Sequence, residues 1–186
     1  MLVYLIFLLT LLSSAAIIAL GGVSLHKPGF RFWPPPSRES WQFTVFWWLF
    51  RAMIAGLVLL CIVDFQGLGR VSLGYHLIGI PLTLIGFGVA FHASFRLGWR
   101  NAHGERQGLV TDGWYRWSRN PIYVASWAGM LGLALTVHSA HVDVILVLWA
   151  LMYAVAPFLE EPWLEQEYGA DYRRYKTGVS RFIGRS

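Results

Sequence analysis

Five stretches of this chain are apolar for long enough, or nearly so, to cross about 30 Å of hydrocarbon as helices: residues 1–24, 41–63, 71–95, 121–137 and 141–159. In lipid the backbone N–H and C=O groups find no water, and helices satisfy them internally. The composition agrees, since 56% of the 186 residues are hydrophobic and 13% charged, more apolar surface than a soluble domain of this size can hide. These features predict an all-α, polytopic membrane protein with about five transmembrane helices, a single domain over 1–186 and a polar tail over 160–186. The first run has no lysine or arginine before Lys27 and is read as a retained helix rather than a cleavable signal peptide.

The net charge of +5 does not point to nucleic acid, because the basic residues fall in short segments between the apolar runs and match no binding motif. Their distribution instead gives a topology. Lys27, Arg31 and Arg38 follow the first run, Arg70 alone follows the second, five arginines follow the third, none separates the fourth from the fifth, and five basic residues lie in the tail. That alternation places the amino terminus outside, and the 25–40 loop, the 96–120 loop and the tail in the cytoplasm. Arginine outnumbers lysine thirteen to two, a usage associated with GC-rich bacterial genomes, for which the membrane would be the inner one. Cys61 is the single cysteine, which excludes an intramolecular disulfide or a cysteine-based metal cluster. Trp33, Trp41, Trp47, Trp48, Trp99, Trp114, Trp117 and Trp163 sit near span ends, as an interfacial belt would.

Two polar segments are too rich in paired functional groups to be plain connectors. The loop reads HGERQGLVTDGWYRWSRNPIY and ends in SRNPIY, residues 118–123, where the fourth run begins. Asn120 followed by Pro121 is a good helix start, since asparagine can accept an orphan N–H and proline has none to lose at the first helical position. The tail reads EEPWLEQEYGADYRRYKTGVSRFIG, a carboxylate pair followed by Leu164, Tyr168, Tyr172 and Tyr175 on one helical stripe. Taken singly, these groups suit a solvated helix end, a positive-inside arginine and an aromatic surface. His92 and Asp143, the other polar groups noted near spans, are read as structural.

Leu109, Val110, Gly113, Tyr115, Arg119, Pro121 and Tyr123, then Glu160, Glu161, Leu164, Tyr168, Gly169, Tyr172, Tyr175, Val179 and Arg181, form an ordered pattern over about the last 80 residues. It resembles the isoprenylcysteine carboxyl methyltransferase and phospholipid methyltransferase superfamily of integral membrane enzymes. The carboxyl methyltransferase branch usually has histidine where this chain has Asn120 and Gln107. The resemblance implies S-adenosylmethionine as methyl donor, no metal, and a cytoplasmic pocket formed by the 96–120 loop, the last two helices and the tail. The donor residues it implies are Gln107, Leu109, Val110, Gly113, Tyr115, Arg119, Asn120, Tyr123, Glu160 and Glu161.

Arg119 could clamp the donor's carboxylate, and Glu160 and Glu161 its ammonium or ribose hydroxyls. A carboxylate acceptor is already ionised and needs only a cation such as Arg119, Arg173 or Arg174 to position it; an amine or phenol must lose a proton, to Glu160 or Glu161 for example. The expected catalytic groups are therefore Arg119, Glu161, Arg173 and Arg174. The acceptor is expected to be amphiphilic, lipid-like or prenylated, with carboxylate methylation as the leading chemistry and phospholipid or small-molecule N-, O- or S-methylation and a non-catalytic scaffold as alternatives.

Overall fold

The computed structural model describes residues 1–27, 29–66, 72–98, 101 and 108–183. Among them all regular structure is helical: α1 (Leu2–His26), α2 (Trp41–Val63), α3 (Leu73–Leu97), a 3₁₀ turn (Gly113–Arg116), α4 (Pro121–Val137) and α5 (Ala140–Gly178). The first four apolar runs become α1 to α4 within two residues at each end. Four helices, α1, α2, α3 and α5, are long and apolar enough to cross a membrane, and α4 is a shorter apolar helix of 17 residues. Serine side chains start two of them: Ser40 Oγ accepts from Phe43 N–H at 3.2 Å and Ser139 Oγ from Val142 N–H at 3.3 Å.

The fifth apolar run and the helical stripe of the tail are joined in α5, which runs on past residue 159 to Gly178; Pro157 and Pro162 remove backbone donors without ending it. The break comes at Gly169, whose φ of 53° and ψ of −121° are open to glycine and strained for other residues. Beyond it the last turns swing back toward the start of α4.

Packing between α3 and α4 is set by glycine. A Cβ added at Gly86 would lie 2.2 Å from Gly129 N, and one at Gly132 would lie 2.3 Å from Thr83 N, so the two backbones touch. Without a hydrophobic driving force between helices in lipid, such close approach supplies the van der Waals contact that holds them. On the other side α2, α4 and α5 share a core that includes Met53, Leu60, Met130, Val142, Ile145 and Trp149, while Thr10 and Ser14 of α1 are buried, Thr10 against Gly56 of α2. Arg51 is a charge inside α2 that the sequence reading passed over; it is exposed, with its guanidinium 5.9 Å from the Trp47 ring centre.

One end of the bundle is tied by Asp64, just after α2. Its Oδ2 accepts from the Ser139 hydroxyl and pairs with His141 Nδ1 at 2.9 Å, and the His141 ring sits edge-on to Tyr4 and Phe7 of α1. Three helices therefore meet on one carboxylate. The Ser139 hydroxyl first, and then His141, hold the Asp64 carboxyl below its ordinary 3.8. A depressed carboxyl adds stability above its ordinary value, and that stability is lost as pH falls through the depressed one.

Two outcomes follow for stability in detergent. Gly86→Val should cost about 3 kcal/mol or prevent folding, since the contact is with backbone and cannot rotate away, whereas Gly88→Ala, which meets nothing within 4 Å, should leave thermal unfolding unchanged. Asp64→Asn should lose about 1.5 kcal/mol at pH 7 by chemical unfolding, and its gap from the wild type should narrow as pH drops below 3.8.

Candidate functional site

At the opposite end of the bundle a cavity of about 520 Å³ opens where α1 and α3 end and α2 and α4 begin. Pro121 occupies the first position of α4, as the sequence indicated, but the Asn120 side chain does not cap the helix. Its Nδ2 instead donates to Arg181 O at 2.9 Å, and Ser118 Oγ donates to the same carbonyl at 3.3 Å. The reason is the returning tail, whose carbonyls need donors once the helix has ended.

Arg119 serves the same purpose. Its Nη1 donates to Lys176 O at 2.9 Å and Val179 O at 2.8 Å, its backbone N–H to Ser180 O at 2.9 Å, and its Nη2 to Glu161 Oε1 at 2.8 Å. Arg181 completes the cluster with Nε to Glu161 Oε1 and Nη2 to Glu161 Oε2, both at 2.8 Å. The side chains of Arg119 and Glu161 are only 8% and 6% exposed, so this is a buried ion pair whose Arg119 Nη1 and Nη2 are already engaged by the chain itself. Arg119 Nε is buried and has no partner among the described residues. The Glu161 carboxylate, above all by its hydrogen bonds, raises the Arg181 guanidinium further above its ordinary value.

Glu160 points elsewhere. Its Oε1 accepts from Trp33 Nε1 at 2.6 Å and from the Tyr123 hydroxyl, and no partner for Oε2 is found among the described residues. Tyr123 lies against Tyr153 with ring centres 4.5 Å apart, and Trp33 stacks on Phe46 at 4.3 Å. Tyr115, held by the Tyr175 hydroxyl on its carbonyl at 2.7 Å, lines the cavity beside them. Burial, with Glu160 adding to it, raises the Tyr115 phenol far above its ordinary range, so it remains a neutral donor.

Of the residues singled out in the sequence, Leu109, Val110, Tyr115, Arg119, Asn120, Tyr123, Glu160 and Glu161 all line this cavity, as do Leu164, Tyr168, Tyr172 and Tyr175 of the tail stripe. Gly113 does not; it opens the 3₁₀ turn at φ 59° beside Arg96. Gln107 lies outside the described residues. Arg173 and Arg174 are on the outer side of the last turns, 60% and 82% exposed, and face Glu165 at 3.9 Å and Asp171 at 3.7 Å. They are not brought to the cavity. Trp33, Trp47 and Trp163 line it, Trp41, Trp48, Trp114 and Trp117 are exposed, and Trp99 lies outside the described residues. The contributions of Trp33 and Tyr153 had no signal in the sequence beyond their aromatic character.

Removing one partner of the buried pair should be costly. Arg119→Ala or Glu161→Ala should lower stability by about 3 kcal/mol and make residues 176–183 exchange amide hydrogens faster, whereas Arg173→Ala and Arg174→Ala should leave both unfolding and exchange unchanged.

The phospholipid methyltransferase family model matches residues 75–171, from the first turn of α3 to just past the Gly169 break in α5. Among curated proteins, a phosphatidylethanolamine N-methyltransferase from Yarrowia lipolytica is 35% identical over 83 residues, which is 44% of this chain and 9% of that protein. This chain thus matches less than a tenth of that relative's length. No solved structure matches. With the family model covering more than half of its length, including α4, Arg119, Tyr123, Glu160 and Glu161, the chain belongs to the phospholipid methyltransferase family.

Proposed function

We propose that this chain is a membrane-embedded methyltransferase that uses S-adenosylmethionine to methylate an amine on a lipid-like acceptor. The observation that carries the acceptor's chemistry is Glu160, whose carboxylate lines the cavity with both protein donors on one oxygen. Its other oxygen is left to attract an ammonium and to take the proton that an amine must lose before it can act as a nucleophile. Phosphatidylethanolamine, the lipid in the relative's name, carries such an amine on its headgroup. A carboxylate acceptor fits the cavity less well: Arg119 and Arg181 already serve Glu161, and Arg173 and Arg174 lie outside it.

The residues present suit the donor. A cavity of about 520 Å³ lies within the ~300–1,000 Å³ usual for small-molecule and cofactor sites. The buried Arg119 Nε without a partner, the Tyr115 phenol and the backbone of Leu109 and Val110 are polar groups from which a nucleoside and an amino-acid moiety could be held. When bound, S-adenosylmethionine supplies a methyl carbon activated by its sulfonium. The chain's part is to align the acceptor nitrogen with that carbon, keep water out with aromatic walls, and receive one proton at Glu160. The face of Tyr123 or Tyr153 can stabilise positive charge nearby. On the positive-inside reading this end of the bundle, which carries the 25–40 and 96–120 segments and the tail, faces the cytoplasm.

Purified protein in detergent should bind S-adenosylmethionine saturably and transfer tritiated methyl to phosphatidylethanolamine in mixed micelles, giving a base-stable product. Glu160→Gln should lower kcat by about 100-fold with the donor Kd little changed. No saturable donor binding would sink the enzymatic reading, and a label released by base would sink the amine.

A further inference from the structure

Taking the methyltransferase reading of the cavity as its basis, we propose that α1 forms the berth for the acceptor's alkyl chain and that Gly22 sets how bulky that chain can be. The cavity lining is of two kinds: polar groups on Glu160, Tyr115 and Tyr123, and an apolar arm that includes Ile17, Ile18, Gly21, Gly22 and Leu25 of α1. These five recur at the three- and four-residue spacings that put them on one face of α1. From residue 17 to residue 25 that face runs roughly 12 Å at 1.5 Å per residue, comparable with the ~15 Å of hydrocarbon in one leaflet.

Two consecutive glycines weaken a helix unless the space above them is needed. Here it is kept open. A Cβ added at Gly21 would make only an ordinary contact, 3.9 Å from Leu159 Cδ1, and one at Gly22 would meet nothing within 4 Å. By contrast, a Cβ added at Gly56 of α2 would lie 2.0 Å from Thr10 Oγ1, so that glycine serves packing rather than a ligand.

The apolar arm also has a way out. Leu25, Leu151 and Val155 line it and are at the same time 47%, 51% and 37% exposed, which places an opening between α1 and α5 on the side of the bundle that faces lipid. At its other end α1 is closed against α5 by Tyr4 and Phe7 around His141. An alkyl chain could therefore enter sideways from the bilayer while its headgroup reaches Glu160, without leaving hydrocarbon. Because the family match begins at residue 75, α1 lies outside the matched segment. The donor end is thus built from matched residues, and chain selectivity from a helix outside the matched segment.

The test uses the full chain in nanodiscs containing phosphatidylethanolamine with a mid-chain diazirine, photolysed and mapped by mass spectrometry. Adducts are expected on residues 17–25, and Gly22→Phe should reduce them by at least about tenfold, as filling an apolar pocket does, with Gly22→Leu intermediate and the S-adenosylmethionine Kd within about twofold of wild type. The variants replace a glycine in a helix at a position where an added Cβ meets nothing within 4 Å, so the backbone need not shift and they should fold; should the phenylalanine variant fail to, the leucine variant carries the same readout. Adducts confined to the outward faces of the helices, or unchanged by either variant, would overturn the proposal. Adducts at 17–25 in a protein that binds no S-adenosylmethionine would leave the berth standing and remove the enzymatic reading; methyl transfer without such adducts would do the reverse.

Discussion

A carboxylate set between two guanidiniums at one end of an apolar bundle decides how the segment after α5 turns back and what covers the cavity. Glu161 accepts three charge-assisted hydrogen bonds, one from Arg119 and two from Arg181. Burying those charges is unfavourable unless the geometry is complete, and the rest of Arg119 completes it by bonding the carbonyls of Lys176 and Val179. The carbonyls at the end of α5 would otherwise be orphans. One cluster therefore neutralises a buried acid, finishes a helix and turns the tail back. Tyr172 and Tyr175 are carried with it onto the cavity wall.

That return depends on a second constraint, the break at Gly169. With φ at 53° the residue sits where a side chain would be strained, and the axis of α5 changes direction there. Without the change, residues 172–181 would continue away from α4 and Arg181 could not meet a glutamate 20 positions earlier. The close contact of α3 with α4, through Gly86, Gly129 and Gly132, plays the equivalent part at the other wall. It brings Leu97 and Tyr123 to the same cavity.

Much of this was legible in the sequence, and for identifiable reasons. Length and hydropathy located four helices within two residues because spanning hydrocarbon leaves a chain few choices. The ordered motif from Leu109 to Arg181 collected most of one cavity wall. Partnership was harder to read. Arg119 looked free to clamp a ligand, yet the chain supplies its own carboxylate in Glu161, and Arg173 and Arg174 look alike in sequence but face away. Trp33 could not be told from a belt tryptophan, because its partner Glu160 is 127 residues away and hydropathy carries no information about such a pair.

The adjacent glutamates show how one dipeptide can serve structure and chemistry at once. Neighbours on an α-helix point about 100° apart, so residues 160 and 161 must face different surroundings. Glu161 turns to the tail and receives cations, which consume its hydrogen-bonding capacity and leave it as a fixed structural anion. Glu160 turns to the amino-terminal hairpin and receives only the neutral donors of Trp33 and Tyr123, both on one oxygen. Neutral donors orient the Glu160 carboxyl without supplying a counter-charge, so unlike Glu161 it has no cation partner of its own among the described residues. One of the two donors, Tyr123, lies inside the matched family segment, and the other, Trp33, precedes residue 75. The segment between α1 and α2 therefore shares with α4 the task of orienting the Glu160 carboxyl at the cavity wall.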